Sequence, residues 1–313
     1  MVVCLMDAHG PNWTAYNGDT VHICGQLPSE SIGFSVYSPP FGNLFVYSDS
    51  AADMGNSASD GEFEEHYRFL VRGLFRLTKP GRLTAVHCSD LPMTKWRDGE
   101  VGLKDFSGQI VKIHEAAGWV YHSRVTIWKD PVIEQTRTKA LGLNYGQLTK
   151  DSTRSRVGMP DYLLVFRKPG ENAEPVQHDM GEQTARRLGR EGIRNHGTHT
   201  IPLEMWQEWA SPVWMTVNQT RVLNVAAARE AQDERHLCPL QLDVIERAIH
   251  LWSNPGDTIL SPFMGIGSEG DCALRLKRRF IGAELKESYF RQACKNLDAA
   301  ERGAVDLFAT EAA

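Results

Sequence analysis

The chain has no apolar run of 18 residues, and its first 30 residues lack a basic-then-apolar leader. Those absences exclude an ordinary membrane-spanning helix and a secretory signal in this sequence, so a cytoplasmic protein without a membrane partner is expected. Cysteine is scarce: Cys4, Cys24, Cys88, Cys238, Cys272 and Cys294 are scattered, with no C-x-x-C pair. A disulfide frame and a cysteine zinc site are both disfavoured. Positive charge is not in excess either, since 34 Lys and Arg stand against 39 Asp and Glu for a net charge of -5. The whole-chain charge therefore does not announce a nucleic-acid partner. No internal repeat is present, which excludes solenoids and propellers.

What is present is ordinary globular composition, 42% hydrophobic and 23% charged over 313 residues, enough for one large α/β domain with insertions. Gly33 to Tyr37 reads as a short buried strand. Phe63, Tyr67, Leu70, Leu74 and Leu77 recur at helical spacing, and Lys79-Pro80-Gly81 stops that helix. Strands are predicted over Leu83 to His87, Trp119 to Trp128 and Tyr162 to Phe166, with a helix along Phe106, Ile110, Ile113 and Ala117 between the first two. After a helix over Leu240 to Trp252 come a strand at Thr258 to Leu260, a glycine loop, and a helix near Cys272 to Leu276. A strand at Phe280 to Ala283 and a last helix to Ala300 complete the pattern. Such alternation predicts a mostly parallel sheet covered on both faces.

Charge and pattern both change in the middle of the chain. Arg124 to Lys168 carries Arg124, Lys129, Arg137, Lys139, Lys150, Arg154, Arg156, Arg167 and Lys168 against four acids, either a phosphate-binding face or a solvated loop. From Pro169 to about Arg235 the α/β alternation lapses. Arg186, Arg187, Arg190 and Arg194 cluster there, followed by His196, His199 and the tryptophans Trp206, Trp209 and Trp214. The two histidines lack a Cys or acidic partner at ligand spacing, so no metal is expected. The tryptophans fit a small core better than a stacking platform.

Two motifs carry chemistry. Ser38-Pro39-Pro40-Phe41 follows the first predicted buried strand. An exocyclic amine on an aromatic ring is a poor nucleophile, because its lone pair is delocalised. A hydroxyl at Ser38 and the Pro39 carbonyl offer two acceptors for the amine protons, consecutive prolines fix their direction, and Phe41 offers a stacking face. The second motif, Ser261-Pro262-Phe263-Met264-Gly265-Ile266-Gly267, opens a formal G-x-G-x-x-G turn between strand and helix, and Glu284 ends the following strand. Glycines admit a ligand to the backbone, and the acid suits two ribose hydroxyls. That logic serves a dinucleotide and S-adenosylmethionine equally. Only roughly forty residues follow the loop, however, so the rest of any sheet must come from upstream sequence, which a dehydrogenase does not require.

In that order, target motif first and cofactor motif last, the chain resembles the permuted beta-type amino-methyltransferases of DNA, which act on adenine N6 or cytosine N4. The resemblance spans nearly the whole chain and is weakest between Pro169 and Arg235. It implies a Rossmann-like methyltransferase fold with circularly permuted motif order and a small inserted recognition module, with S-adenosylmethionine as cofactor. It also implies double-stranded DNA as partner, and leaves room for a homodimer and a partner restriction nuclease. By the same resemblance residues 1–168 form the catalytic region, 169–235 the DNA target-recognition module, 236–303 the cofactor-binding region and 304–313 a frayed tail. His236, before the last α/β unit, and Asp19, in Asn17-Gly18-Asp19, would cover the methionine end and the adenine of the cofactor.

Ser261 departs from the family, which usually carries Asp there beside the methionyl amine. Either another acid substitutes or affinity falls, and an inert DNA-binding protein on the same scaffold stays open as an alternative, as does a methyltransferase of another substrate. Serine at position 38 leans toward cytosine N4 over adenine N6. A 5-methylcytosine enzyme needs a Pro-Cys nucleophile, and here Cys238-Pro239 run in the opposite order.

Overall fold

Apolar strands too short to bury both faces alone are covered here by helices on each side of one sheet. The computed structural model of the protein describes residues 6–40, 60–93, 95–189, 199–224 and 240–311. The strands are β1 (Met6–His9), β2 (Trp13–Asn17), β3 (Ile32–Tyr37), β4 (Thr78–Cys88), β5 (Leu91–Met93), β6 (Gly102–Lys104), β7 (Val120–Ile127), β8 (Asp161–Arg167), β9 (His178–Asp179), β10 (His199–Thr200), β11 (Val213–Trp214), β12 (Thr258–Ser261) and β13 (Arg279–Glu284). The helices are α1 (Thr20–Gln26), α2 (Asp60–Leu77), α3 (Lys95–Asp98), α4 (Phe106–Ala116), α5 (Pro131–Thr138), α6 (Tyr145–Lys150), α7 (Glu182–Arg187), α8 (Leu203–Trp209), α9 (Leu242–Trp252), α10 (Ser268–Arg275) and α11 (Glu287–Glu311).

Nine strands form the main sheet in the order β1-β2-β13-β12-β3-β4-β8-β7-β11. β2, β13, β12, β3 and β4 run parallel, while β8 runs antiparallel between β4 and β7. All six residues of β3 are buried, as a central parallel strand covered on both faces requires. The pairing with β4 shifts register between Ile32 and Phe34, so Ile32 does not share a face with Phe34 and Val36. Phe34 and Val36 join a core with Val244, Ile245 and Leu297 of α9 and α11. Ile32 and Tyr37 join the opposite core, with Tyr67, Leu70, Leu74, Ile110 and Ile113 of α2 and α4.

The mostly parallel α/β sheet thus matches the expectation. β4 begins at Thr78, directly after α2, so Lys79-Pro80-Gly81 ends the helix and also opens the strand; Gly81 holds φ +72° there. The N-terminal elements β1, β2 and α1 are additions that no sequence periodicity announced.

Part of the region after Pro169 belongs to the main sheet. β11 pairs parallel with β7, and Trp214, 1% exposed, packs in the core beside α9. Trp214 Nε1 donates to the Trp209 carbonyl (2.9 Å), whereas Trp206 is half exposed, so the tryptophans do not share one role. β9 and β10 form a separate parallel pair, and α8 lies on α9 through the Arg247–Glu208 ion pair (3.1 Å). Helix α11 continues to Glu311, past the end expected at Ala300.

Candidate active site

The two sequence motifs, more than two hundred residues apart, meet at one place in the sheet. β3 and β12 are neighbouring parallel strands, with Ile259 opposite Phe34 and Leu260 opposite Ser35. Ser38 therefore leaves β3, and Ser261 ends β12, at the same carboxyl edge. The chain then departs in opposite directions, β12 through α10 to β13 and β3 through α2 to β4. Such a topological switch point opens a crevice at the carboxyl ends of the strands, where open α/β sheets bind ligands. The end of β3 also packs on the glycine-loop motif: the Tyr37 and Phe263 rings lie 6.0 Å apart at 53°, and Tyr37 Oη is 3.0 Å from Tyr67 Oη. Burial pushes the Tyr37 phenol well above its ordinary range, so it stays neutral.

The glycine loop is held by Glu284. Its Oε2 accepts the Gly265 N–H (2.9 Å), its Oε1 accepts the Lys286 N–H (2.9 Å), and its carbonyl accepts from Asn17 Nδ2 (2.9 Å) and Gly18 N–H (3.0 Å). A carboxylate oxygen has further acceptor capacity, so these bonds orient Glu284 without closing it to a ligand. Gly265 has φ +53° and nothing lies within 4 Å of where a Cβ would stand, whereas at Gly267 (φ +91°) a Cβ would meet Ala293 of α11 at 3.4 Å. The first glycine thus leaves space on the cleft side. The second serves helix packing.

Ser261 Oγ and Asn17 Oδ1 are buried and have no hydrogen-bond partner among the described residues. An orphaned buried polar atom is costly unless a ligand or water satisfies it. In the first turn of α10, Glu269 is buried and its carboxyl is pushed up to about 8, chiefly by desolvation and further by the nearby Glu284. Sequence reasoning did not single out Glu269. It is an acid beside the loop whose strand-end residue is Ser261. Asp19 follows β2, opposite the end of β13, but its Oδ1 caps α1 by accepting the Val21 N–H (3.0 Å).

On the target side, Ser38 and Pro40 are half-buried and Pro39 is buried. Continuing the β3–β4 register from Tyr37 opposite Val86 sets Ser38 beside His87, whose Nδ1 lies 3.5 Å from Ser38 Oγ. His87 Nε2 in turn lies 3.3 Å from Asp161 Oδ2, off the line of a good hydrogen bond, and Lys129 Nζ donates to Asp161 Oδ1 at 2.5 Å. Burial acts to raise the Asp161 carboxyl, but His87 and Lys129 outweigh it and hold the group below the usual carboxylate range. His87 and Asp161 carried no motif and were not predicted. Phe41 and His236 lie outside the described residues. Among the described residues no cluster of His, Cys, Asp and Glu is arranged to hold a metal ion, and no helix is long and apolar enough to cross a membrane.

A parallel sheet with its glycine loop and its Ser-Pro-Pro turn at one switch point defines a Rossmann-like transferase architecture. A family model described as DNA methylase matches residues 32–295, and the chain belongs to that family. It is 43% identical over 274 residues to the Type II methyltransferase M1.MboII of Moraxella bovis, covering 86% of this chain and 90% of that protein. It is 36% identical over 279 residues to the Type II methyltransferase M.BglII of Bacillus subtilis, covering 88% and 66%. Among solved structures, a DNA modification methylase of Thermus thermophilus complexed with S-adenosyl-L-methionine matches with a TM-score of 0.61 at 18% identity, over 92% of this chain and 95% of that one. The cytosine-N4-specific PvuII DNA methyltransferase matches with a TM-score of 0.57 at 16% identity, over 94% and 93%. At those identities the structural likeness establishes the fold.

Proposed function

We propose that this DNA methyltransferase binds S-adenosylmethionine at the glycine loop and transfers its methyl group to the exocyclic amine of a base held at Ser38, cytosine N4 in preference to adenine N6. The observation that carries this reading is the adjacency of Ser38 and Ser261 at the ends of neighbouring parallel strands. Gly265 leaves space for the ligand, Glu284 is assigned to the ribose, Phe263 flanks the loop, and Glu269 is assigned as the acid that Ser261 does not supply, its carboxyl ionising against the positive methionyl amine. The bound cofactor supplies an electrophilic sulfonium methyl. The protein's own part is to hold both amine protons, by Ser38 Oγ and the Pro39 carbonyl, and to present nitrogen in line, since positioning is its main contribution. Asp19 and His236 belong to the same proposal as cover for the adenine and methionine ends.

DNA contacts are assigned to residues 169–235, joined by the segment from Trp128 to Pro160. That segment leaves β7 at the same carboxyl edge as Ser38 and exposes Lys139, Lys150 and Arg154. Action in the cytoplasm, a homodimer and a partner nuclease of the same specificity complete the reading, the nuclease because similar proteins are Type II methyltransferases.

Methylating DNA in an expression host and weighing its nucleosides tests the assignment. N4-methylcytosine is expected; N6-methyladenine as sole product overturns the base preference, and 5-methylcytosine overturns the mechanism. Ser38→Ala should slow transfer more than it weakens DNA binding, as measured by single-turnover rate against gel-shift affinity.

A further inference from the structure

We propose that His87 and Asp161 act through Ser38 as a proton relay, Ser38–His87–Asp161, that removes the proton released by the target amine. The proposal rests on the assignment of Ser38 to the amine. Three strands distant in sequence bring the chain together: Ser38 follows β3, His87 is next to last in β4, and Asp161 opens β8. Ser38 Oγ to His87 Nδ1 is 3.5 Å and His87 Nε2 to Asp161 Oδ2 is 3.3 Å, with His87 and Asp161 8% and 4% exposed. Proton transfer along the chain requires both contacts to shorten as the amine is positioned.

A serine hydroxyl is a weak base, so a site with Ser38 in place of a carboxylate needs another destination for the proton. The amine lone pair forms a bond to the methyl carbon as the carbon–sulfur bond breaks and its electron pair stays on sulfur. The nitrogen then carries positive charge. Its proton passes to Ser38 Oγ while the Ser38 hydroxyl proton passes to His87 Nδ1. The imidazolium so formed faces the Asp161 carboxylate and later returns its proton to water. The relay requires His87 to carry its resting proton on Nε2, the nitrogen that faces Asp161. The charged groups around the ring are Asp161 from β8 and Lys129 beyond β7. Asp90, on the segment after β4, is engaged by the Ser107 N–H of α4 (3.0 Å).

Nitrogen-15 spectra of histidine-labelled wild-type protein, with no cofactor added, should show His87 protonated on Nε2, with that preference weakened in Asp161→Asn. Protonation on Nδ1 overturns the relay without any activity measurement. The kinetic test is the single-turnover rate with saturating cofactor and DNA. His87→Gln should lose about 10²-fold in rate, the lower range for proton transfer by a positioned group. Its cofactor and DNA affinities should stay within twofold. A wild-type rate in His87→Gln, with Ser38→Ala slow, overturns the relay alone. A wild-type rate in Ser38→Ala overturns the amine assignment and the relay together.

Discussion

The two edges of the sheet differ in how they hold buried ionisable groups. At the amino edge of the parallel strands, buried cations are saturated. Arg82 donates to the Gly33 carbonyl (3.0 Å), the Glu174 carbonyl (2.7 Å) and the Asp257 carboxylate. Arg278 reaches Ser253 Oγ (3.0 Å) and the carbonyls of Ser253 and Leu276 (2.6 Å each). Lys168 donates to the Thr78 carbonyl (2.8 Å) and lies over the Phe75 ring. At the carboxyl edge, Ser261 Oγ and Asn17 Oδ1 have no hydrogen-bond partner among the described residues, Glu269 is a buried acid pushed toward neutrality of charge, and His87 meets its partners at long range. Completed networks lock a fold together. Incomplete ones leave bonding capacity for something that binds. The lesson is that charge burial alone does not mark a site.

Breaking the amino edge should give the largest effect on stability and little on binding. Arg82→Ala strands Asp257 in the interior, and removing one partner of a buried pair costs about 3–5 kcal/mol. Urea unfolding should show that loss, while cofactor affinity per folded molecule stays unchanged. A loss under 1 kcal/mol, on the order of an exposed ion pair, would erase the contrast between the edges.

Filling the carboxyl edge should do the reverse. Gly265→Leu places a side chain where the structure has room, but at φ +53° leucine carries left-handed strain, so unfolding should lose only about 1–2 kcal/mol. Cofactor affinity should fall by about 10- to 100-fold, the cost of overpacking a fitted site by roughly 1–3 kcal/mol. Gly267→Leu, pressed against Ala293, should cost stability as well as binding. Calorimetric titration and thermal melts on both variants separate the two glycines; equal behaviour would show that both serve packing.

The pH dependence of stability sharpens the comparison further. Glu269, with a folded pKa raised from 4.5 to about 8, contributes stability below pH 4.5 that is lost as pH rises toward 8. Glu269→Gln should therefore match the wild type in acid and melt at higher temperature than it above neutrality. His114 behaves oppositely. Buried against Phe166 with its rings stacked at 4.0 Å, it is lowered by desolvation from 6.5 to about 3. Its contribution is present above pH 6.5 and lost as pH falls toward 3, so His114→Gln should flatten that acid limb in melting curves.

The smallest effect should come from the exposed cations of the segment leaving β7. Lys150→Ala and Arg154→Ala should each reduce the salt dependence of DNA binding by roughly one counterion. Salt titrations that leave the slope unchanged would return this segment to the role of a solvated loop.

Legibility in the sequence followed contiguity. The β3 turn and the glycine loop were readable because each packs its chemistry into consecutive residues, where glycine spacing and paired prolines report backbone geometry directly. The helices α2, α4 and α9 were readable because a buried stripe repeats every three or four residues. β2 and α1 were not, since Trp13 and Ala15 alternate over only five residues and the helix spans seven. Trp214 shows a second limit: as a lone buried indole on a two-residue strand it carries no period, and only its pairing with β7 places it in the core.

The sequence by itself determined the layered α/β class, the glycine loop and the Ser-Pro-Pro turn, because local backbone constraints and hydrophobic period are written in adjacent residues. The tertiary structure alone decided that those motifs share one edge, and that His87 and Asp161 stand behind Ser38. Strand order and register bring residues 38, 87 and 161 together. Register is a property of which strands pair, set by the burial of whole faces and not by any short run of the chain.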